Sequence, residues 1–355
     1  MVIFIIYFKT PLPFALEKFK IILLCFILLI TPGCKKEVRI TKLQIEKDNN
    51  YPRWLKSGDY QTDQTSGNVY IGRDGRGLKT FLLADDIGKI HHLKIEDDTV
   101  FHLSAVYLGD DVRNYLKDFP KGDFEEITYD KYAGSVYLSI EGDGLDYNKF
   151  VGIYKIIFKN NDIFADTLTG IVKMNFSPSS LFYKYTRDNI GYEGLAVDRN
   201  YFYLGLEGFE DEGVFADSTL IFIADKNSLK IIKEIDTKPY NIFTACGLYS
   251  DRDNSIFGID RNAKKIFHIK FNKDLDVESV EETNLKSAIP SYPLFSYVAS
   301  LESITIDDEN NIYLVDDPWK AYFIPSDDVL KKLDENTVQN FKDFVPVIFK
   351  YKLIK

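Results

Sequence analysis

One unit recurs five times along this chain, and it constrains the fold more than any other feature. The unit opens on an acid or a small residue and alternates apolar positions up to an aspartate. It then turns, enters an apolar strand and closes on an acid. Glu193-Gly-Leu-Ala-Val-Asp198 closes at Glu207, and Glu302-Ser-Ile-Thr-Ile-Asp307 closes at Asp316. A third copy opens at Cys246, passes Asp251 and closes at Asp260. In these three the aspartate and the closing acid are nine residues apart. Two more copies, Glu125 with Asp130 and Glu141, and Gly58 with Asp63 and Asp74, have a gap of eleven, which a longer turn explains. Self-similarity at a fixed period is the signature of a stacked architecture.

Each copy reads as a hairpin. Asp followed by Arg-Asn, Arg-Asp-Asn or Asp-Glu-Asn-Asn is turn chemistry, because Asn and Asp bond their own backbone and tolerate left-handed conformations. Two further apolar runs usually follow, as in Thr219-Leu-Ile-Phe-Ile-Ala-Asp225 and Leu229-Lys-Ile-Ile-Lys-Glu-Ile235. Four strands per unit make a propeller blade. Copy starts lie 67, 68, 53 and 56 residues apart, enough for a blade with its loops. The richness in aromatics, 27 Phe and 23 Tyr, suits pleated and half-buried strands. The expectation is an all-β protein, a β-propeller of five or six four-stranded blades with short helical insertions. A β-sandwich is the alternative, and the shared acid positions count against it. Residues 38–45 and 345–354 read as strands that share one blade and close the ring. Residues 110–119 and 326–344 carry helical spacing.

The repeated acids fall into two sets. The first strand of a blade lies nearest the axis and the second runs antiparallel to it, so the start of one and the end of the other share a face. Glu125, Glu193 and Glu302 open first strands, while Asp74, Glu141, Glu207, Asp260 and Asp316 close second strands. Asp63, Asp130, Asp198, Asp251 and Asp307 fall at the hairpins of the opposite face and read as turn formers. Crowded carboxylates with little water repel unless a cation binds or some protonate. Oxygen donors of this kind suit calcium. The expected metal ligands are Glu125, Glu193, Glu302, Glu141, Glu207 and Asp316. Gly58 and Cys246 interrupt the inner set, which favours one asymmetric site over a symmetric ring. Glu126, Asp143, Asp146, Glu210, Asp211, Glu212 and Asp317 lie close by in sequence and could add oxygens.

The N-terminus reads as a leader. Lys18 and Lys20 precede an apolar run over residues 21–30, too short to span a bilayer, which ends Thr31-Pro32-Gly33-Cys34. Gly33-Cys34 resembles a bacterial lipobox, which implies acylation of Cys34 after cleavage, although Thr31 and Pro32 depart from the usual pattern. Residues 1–33 are thus expected to be a lipoprotein-type signal peptide, 34–57 a linker with the closing strand, and 58–355 the propeller. The protein is expected as a monomer in the bacterial cell envelope, anchored to a membrane by its N-terminal lipid.

The first 33 residues hold three bases and one acid, so the remainder carries 41 bases against 53 acids. That balance repels phosphate backbones and argues against a nucleic-acid partner. Only Cys246 lies in the body of the chain, so no disulfide framework is available. Adjacent His91 and His92 point to opposite faces of a strand, and no zinc-type spacing appears.

The pairing of Glu-Gly-Leu-Ala-Val-Asp with Tyr-Leu-Gly-Leu-Glu resembles the phytase-like (esterase-like) and SdiA-regulated propeller families. The residues that carry the resemblance run over 125–141, 193–207 and 302–316. It implies a propeller with a cation near the axis and, for the phytase-like group, phosphoester or ester hydrolysis. Two functions follow. One is a binding module that takes a small-molecule or protein ligand through a calcium-bearing acidic face. The other is a calcium-dependent hydrolase with Glu193 or Glu302 as base. The second needs bases beside the acids, and the nearest by sequence, Arg73, Arg76 and Lys320, are scattered.

Overall fold

The computed structural model describes residues 38–211 and 214–354. The leader and Cys34 lie outside the described residues, as do Glu212 and the side chain of Asp211. Five units of four strands follow one another along the chain, the fifth completed by Ile45–Lys47. The outer strands of the first two, Val100–Leu108 and Thr167–Lys173, pair in parallel and join these units into one eight-stranded sheet. The innermost strands of the five units are Thr65–Arg73, Phe124–Asp130, Tyr192–Val197, Gly247–Tyr249 and Leu301–Ile306. Each packs against the next, and the fifth packs against the first, so the sheets close a ring around an axis. The protein is an all-β propeller, with five blades among the described residues.

The core lies between blades, not within them. Val69, Leu82 and Ile90 of the first blade pack on Ile127, Leu138 and Ile156 of the second. Tyr137 and Ile153 of the second blade meet Phe202, Leu204 and Phe222 of the third. Phe257 and Ile266 of the fourth meet Ile304, Leu314 and Phe349 of the fifth. Phe81, Leu83 and Leu93 return to Tyr313, Val315 and Ile348 of the fifth. A blade alone would leave such rows in water, at roughly 1.5–3 kcal/mol for each large side chain. That cost makes the ring the stable unit.

The N-terminal segment closes the ring, though not as a single strand. Ile45–Lys47 pairs antiparallel with Val347–Leu353 as the outermost strand of the fifth blade. Arg39–Lys42 instead runs parallel to Val277–Asn284 as a fifth strand on the fourth blade. The segment therefore ties two blades together, with buried Leu43 at the step between them. The helical insertions include Asp110–Leu116, Tyr147–Phe150, Ser179–Phe182, Asp327–Leu330 and Glu335–Lys342, the last capped by Asp334, which accepts from the Thr337 amide at 3.0 Å.

One expectation shifts by a whole strand. The first blade does not begin at Gly58, which sits at φ +60° in the small hairpin of Lys56–Ser57 and Tyr60–Gln61. Asp74 does not close a second strand. It forms the first hairpin, its Oδ1 accepting from the Arg76 and Leu78 amides at 2.9 and 3.1 Å. Asp85 ends the second strand instead. The reason is that all the strands of a blade are apolar and alternate alike, so periodicity cannot rank them by distance from the axis.

Asp63, expected at that hairpin, instead precedes the first strand with its amide donating to Asp85 at 2.9 Å, whereas the other four turn aspartates do close hairpins. Asp130, Asp198 and Asp307 each accept two backbone amides within their own turns. Asp251 accepts from the Ser255 hydroxyl at 3.1 Å. Three of these carboxylates also join neighbouring blades. Lys226 donates to Asp130 at 2.9 Å, the Asn254 amide to Asp198 at 2.9 Å, and Lys79 to Asp307 at 2.8 Å.

Candidate cation-binding cavity

The acids at the strand openings reach the axis because the ladder breaks there. The pairing of first and second strands shifts between Thr65 and Gly67, Phe124 and Ile127, Tyr192 and Gly194, and Leu301 and Ser303. Each shift is a β-bulge, which leaves a residue unpaired and re-aims its side chain. The bulged residues are Ser66, Glu125 with Glu126, Glu193 and Glu302. Cys246 takes the same place in the fourth blade, its amide bonding the Ile259 carbonyl at 3.3 Å. Neighbouring blades approach closely just beyond. A Cβ on Gly247 would lie 2.7 Å from the Glu302 carbonyl oxygen, and one on Gly194 would lie 2.7 Å from that of Ala245.

A second ring follows the ends of the second strands: Asp86, Glu141, Glu207, Arg261 and Asp317. It stands one residue beyond the closing acids expected for the fourth and fifth blades, and one beyond Asp85 in the first, where Asp74 was expected. Asp316, expected as a metal ligand, faces away from the cavity, with its oxygens taken by the Val347 amide at 2.7 Å and the Tyr297 hydroxyl at 2.6 Å. Asp260 likewise accepts from the amides of Phe243 and Ala263. These acids cap strand ends, and the following residue turns into the opening.

Both rings line a cavity of about 750 Å³ at one mouth of the axis. Glu125, Glu141, Glu193, Glu207 and Glu302 all face it, joined by Asp86 and Asp317. The bases Lys121, Arg261, Lys264 and Lys320 and the aromatic rings of Trp319, Tyr322 and Phe323 complete the wall. Sequence reasoning did not anticipate Asp86, Arg261 or Lys121. Arg261 follows Asp260 as Asp317 follows Asp316, so an alignment shifted by one residue would have exposed it.

Two bases are already committed. Arg261 Nη1 lies 2.6 Å from each Glu302 oxygen and Nη2 contacts Glu207, with Ser300 donating to Glu302. Lys121 pairs with Asp123 at 2.6 Å and reaches Asp86 at 3.8 Å. Glu125, Glu141 and Glu193 have no such counter-charge among the described ion pairs. Burial first, and then mutual repulsion, pushes Glu125 and Glu141 well above the ordinary carboxylate range. Burial raises Glu193 to about 7, against the pull of Arg261. Burial raises Asp317 to about 9, aided by Glu302 and Asp316. Glu141 and Asp317 are each 4 % exposed, and each keeps one oxygen without a hydrogen-bond partner. Burying polar atoms unpaired costs about 1–3 kcal/mol apiece, more when charged.

Below the ring, Glu126 crosses the axis. Its Oε1 accepts from Ser303 at 2.6 Å, the Ile127 amide at 3.0 Å and the Asn68 amide at 3.3 Å, joining three blades. Burial raises it well above the ordinary range, and its Oε2 has no partner. Cys246 is buried beside Glu193, and burial pushes its thiol up, which favours the neutral form. Arg73, considered above as a phosphate holder, is on the opposite face, bound to Asp308 at 3.0 Å and Glu309 at 2.6 Å.

No protein-family model matches this chain. No curated protein matches it either. Among solved structures it is similar to the PQQ-bound aldose sugar dehydrogenase of Streptomyces coelicolor at 9% identity and TM-score 0.41, over 85% of this chain and 98% of that one. It is similar to a luciferin-regenerating enzyme at 12% identity and TM-score 0.42, over 87% and 95%. It is also similar to the WD40 β-propeller domain of Doa1 at 11% identity and TM-score 0.40, over 86% and 97%. Likeness at this level carries no argument about activity, and the strand pairings and ring closure stand without it.

Proposed function

We propose that this protein is an exported, monomeric binding module whose axial cavity holds calcium and, through it, a small-molecule or protein ligand. The observation that supports this most directly is the set of buried carboxylates outside any described ion pair, Glu125, Glu141 and Glu193, beside unpartnered oxygens of Glu141 and Asp317. A cation in their midst would offset the cost of burying them. Oxygens of Asp86, Asp123 and Glu125 lie within 4.8 Å of one another, an all-oxygen group that fits a hard ion. Lys121, which reaches two of these acids, has a side chain 38% exposed and can retreat to water. Glu193 and Glu207 converge likewise with Cys246. There the Arg261 side chain, 15% exposed, already serves as the cation. Glu302 then acts by holding Arg261.

Calcium titrated into the purified protein should raise the unfolding temperature. Glu125→Gln should abolish the rise, and Glu302→Gln should leave most of it. No shift in the wild type would sink the calcium site. The membrane anchor is a separate part of the proposal and rests on the Gly33-Cys34 sequence. Its test is fatty-acid labelling of the full chain in bacterial cells, lost in Cys34→Ser.

The phytase-like resemblance supports a second reading, a calcium-dependent phosphoester hydrolase. Lys264 and Lys320 on the cavity wall favour it, since phosphate needs bases near the acids. Turnover of generic phosphate esters with calcium present would select it over the binding module.

A further inference from the structure

We infer that the ligand of this cavity is an organic polyamine, held by the carboxylate rings below and by the aromatic face of Trp319 at the rim. This rests on the reading of the acidic cavity as the binding site, but here the ligand meets the carboxylates directly and in place of calcium. The first ground is size. A metal ion would engage one tight cluster of oxygens, whereas the acids of this cavity are spread around about 750 Å³ of space. The two tight clusters already contain Lys121 or Arg261. Outside both clusters stand Glu141 in the second blade and Asp317 in the fifth, at separate places on the wall. Both are 4 % exposed, and each keeps a buried oxygen without a hydrogen-bond partner. Several ammonium groups on a flexible chain can meet separated carboxylates as one compact ion cannot.

The second ground is charge. Seven carboxylates and four bases line the wall, an excess of three negative charges when all are ionised. A triamine carries three positive charges. The third ground is the rim. Lys320 places its Nζ 3.4 Å from the centre of the Trp319 ring and 5.9 Å from that of Tyr322. An ammonium over a tryptophan face is the geometry by which proteins recognise amine ligands. The protein's own lysine occupies the position that a ligand ammonium would take.

Spermidine is the probe, titrated calorimetrically into the full purified chain at low salt, with 1,8-octanediol as a neutral control and calcium titrated in parallel. Spermidine should bind and the diol should not. Trp319→Leu should weaken spermidine about fivefold, the ratio that ~1 kcal/mol represents. Lys320→Gln should tighten it at least about twofold, because it frees the ring and removes a like charge. Neither substitution should change calcium binding. Calcium binding with spermidine no better than the diol would overturn the inference and leave the cation site standing. Loss of both would overturn both. Spermidine binding indifferent to both rim substitutions would reduce it to nonspecific attraction and also refute the inference.

Discussion

Arg261 is the one base among the five residues that follow the second strands, and replacing it tests the electrostatic reading of the cavity. In Arg261→Met the guanidinium leaves Glu302, whose side chain is 7% exposed, and Glu207, which is 30% exposed. Breaking a buried ion pair by removing one partner costs about 3–5 kcal/mol, because the other charge stays buried. Partial exposure of Glu207 lets water relieve some of that, so a loss of about 3–4 kcal/mol is expected at pH 8. At about 2 °C per kcal/mol for a large domain, the unfolding temperature should fall by roughly 6–8 °C. The double variant Arg261→Met/Glu302→Gln should recover part of the loss, since it removes a stranded charge. Urea unfolding of the three proteins at pH 8 measures all of this. A loss below about 1 kcal/mol at pH 8, or a double variant no better than the single, would refute the reasoning.

The remaining predictions concern the acids, the close approach of blades and the closure of the ring. Glu193 and Asp123, both raised to about 7, and Asp317, raised to about 9, bind protons more tightly folded than unfolded. Their contribution is therefore complete below about pH 4 and is lost as pH rises through 7 to 9. Glu193 is faced by Glu125, Glu141, Glu302, Asp86, Cys246 and Arg261, and the acids outnumber the single base. The metal-free protein should unfold at progressively lower temperature from pH 6 to pH 9, and a rising profile would contradict these shifts. Gly247→Ala should destabilise by about 1–3 kcal/mol in urea, because its Cβ would lie 2.7 Å from the Glu302 carbonyl and 2.8 Å from the Ser303 Cα. Glu126→Gln should stabilise the protein at pH 8 relative to pH 5, since it removes a buried carboxylate with one unpartnered oxygen. Removing residues through Lys47 should uncover the Tyr351–Leu353 end of the last strand, only Val347 and Ile348 keeping Arg53–Trp54, and light scattering on warming should show earlier aggregation.

Much of the architecture is written locally. Asp130, Asp198, Asp251 and Asp307 form hairpins because an aspartate bonds the amides or hydroxyls just after it, and that chemistry needs only neighbours in sequence. Alternating apolar strands between such turns specify a four-stranded unit. A unit that cannot cover its own faces specifies a ring. The sequence also carries Glu125, Glu193 and Glu302 to one mouth of the axis, since strand direction alone decides that.

Three things needed the tertiary structure. The first blade begins at Thr65 and not at Gly58, because only packing against the second and fifth blades shows which strand is innermost. The acids turn inward through bulges placed where neighbouring blades meet glycine, a contact between residues about 55 positions apart. The charge balance was invisible for the same reason. Asp260 and Asp316 look like cavity residues by spacing, yet they bond backbone amides, and a one-residue step puts Arg261 and Asp317 in the opening. Spacing records which residues share a strand face. How far each stands from the axis, and which charge lies opposite it, is fixed only when five blades close on one another.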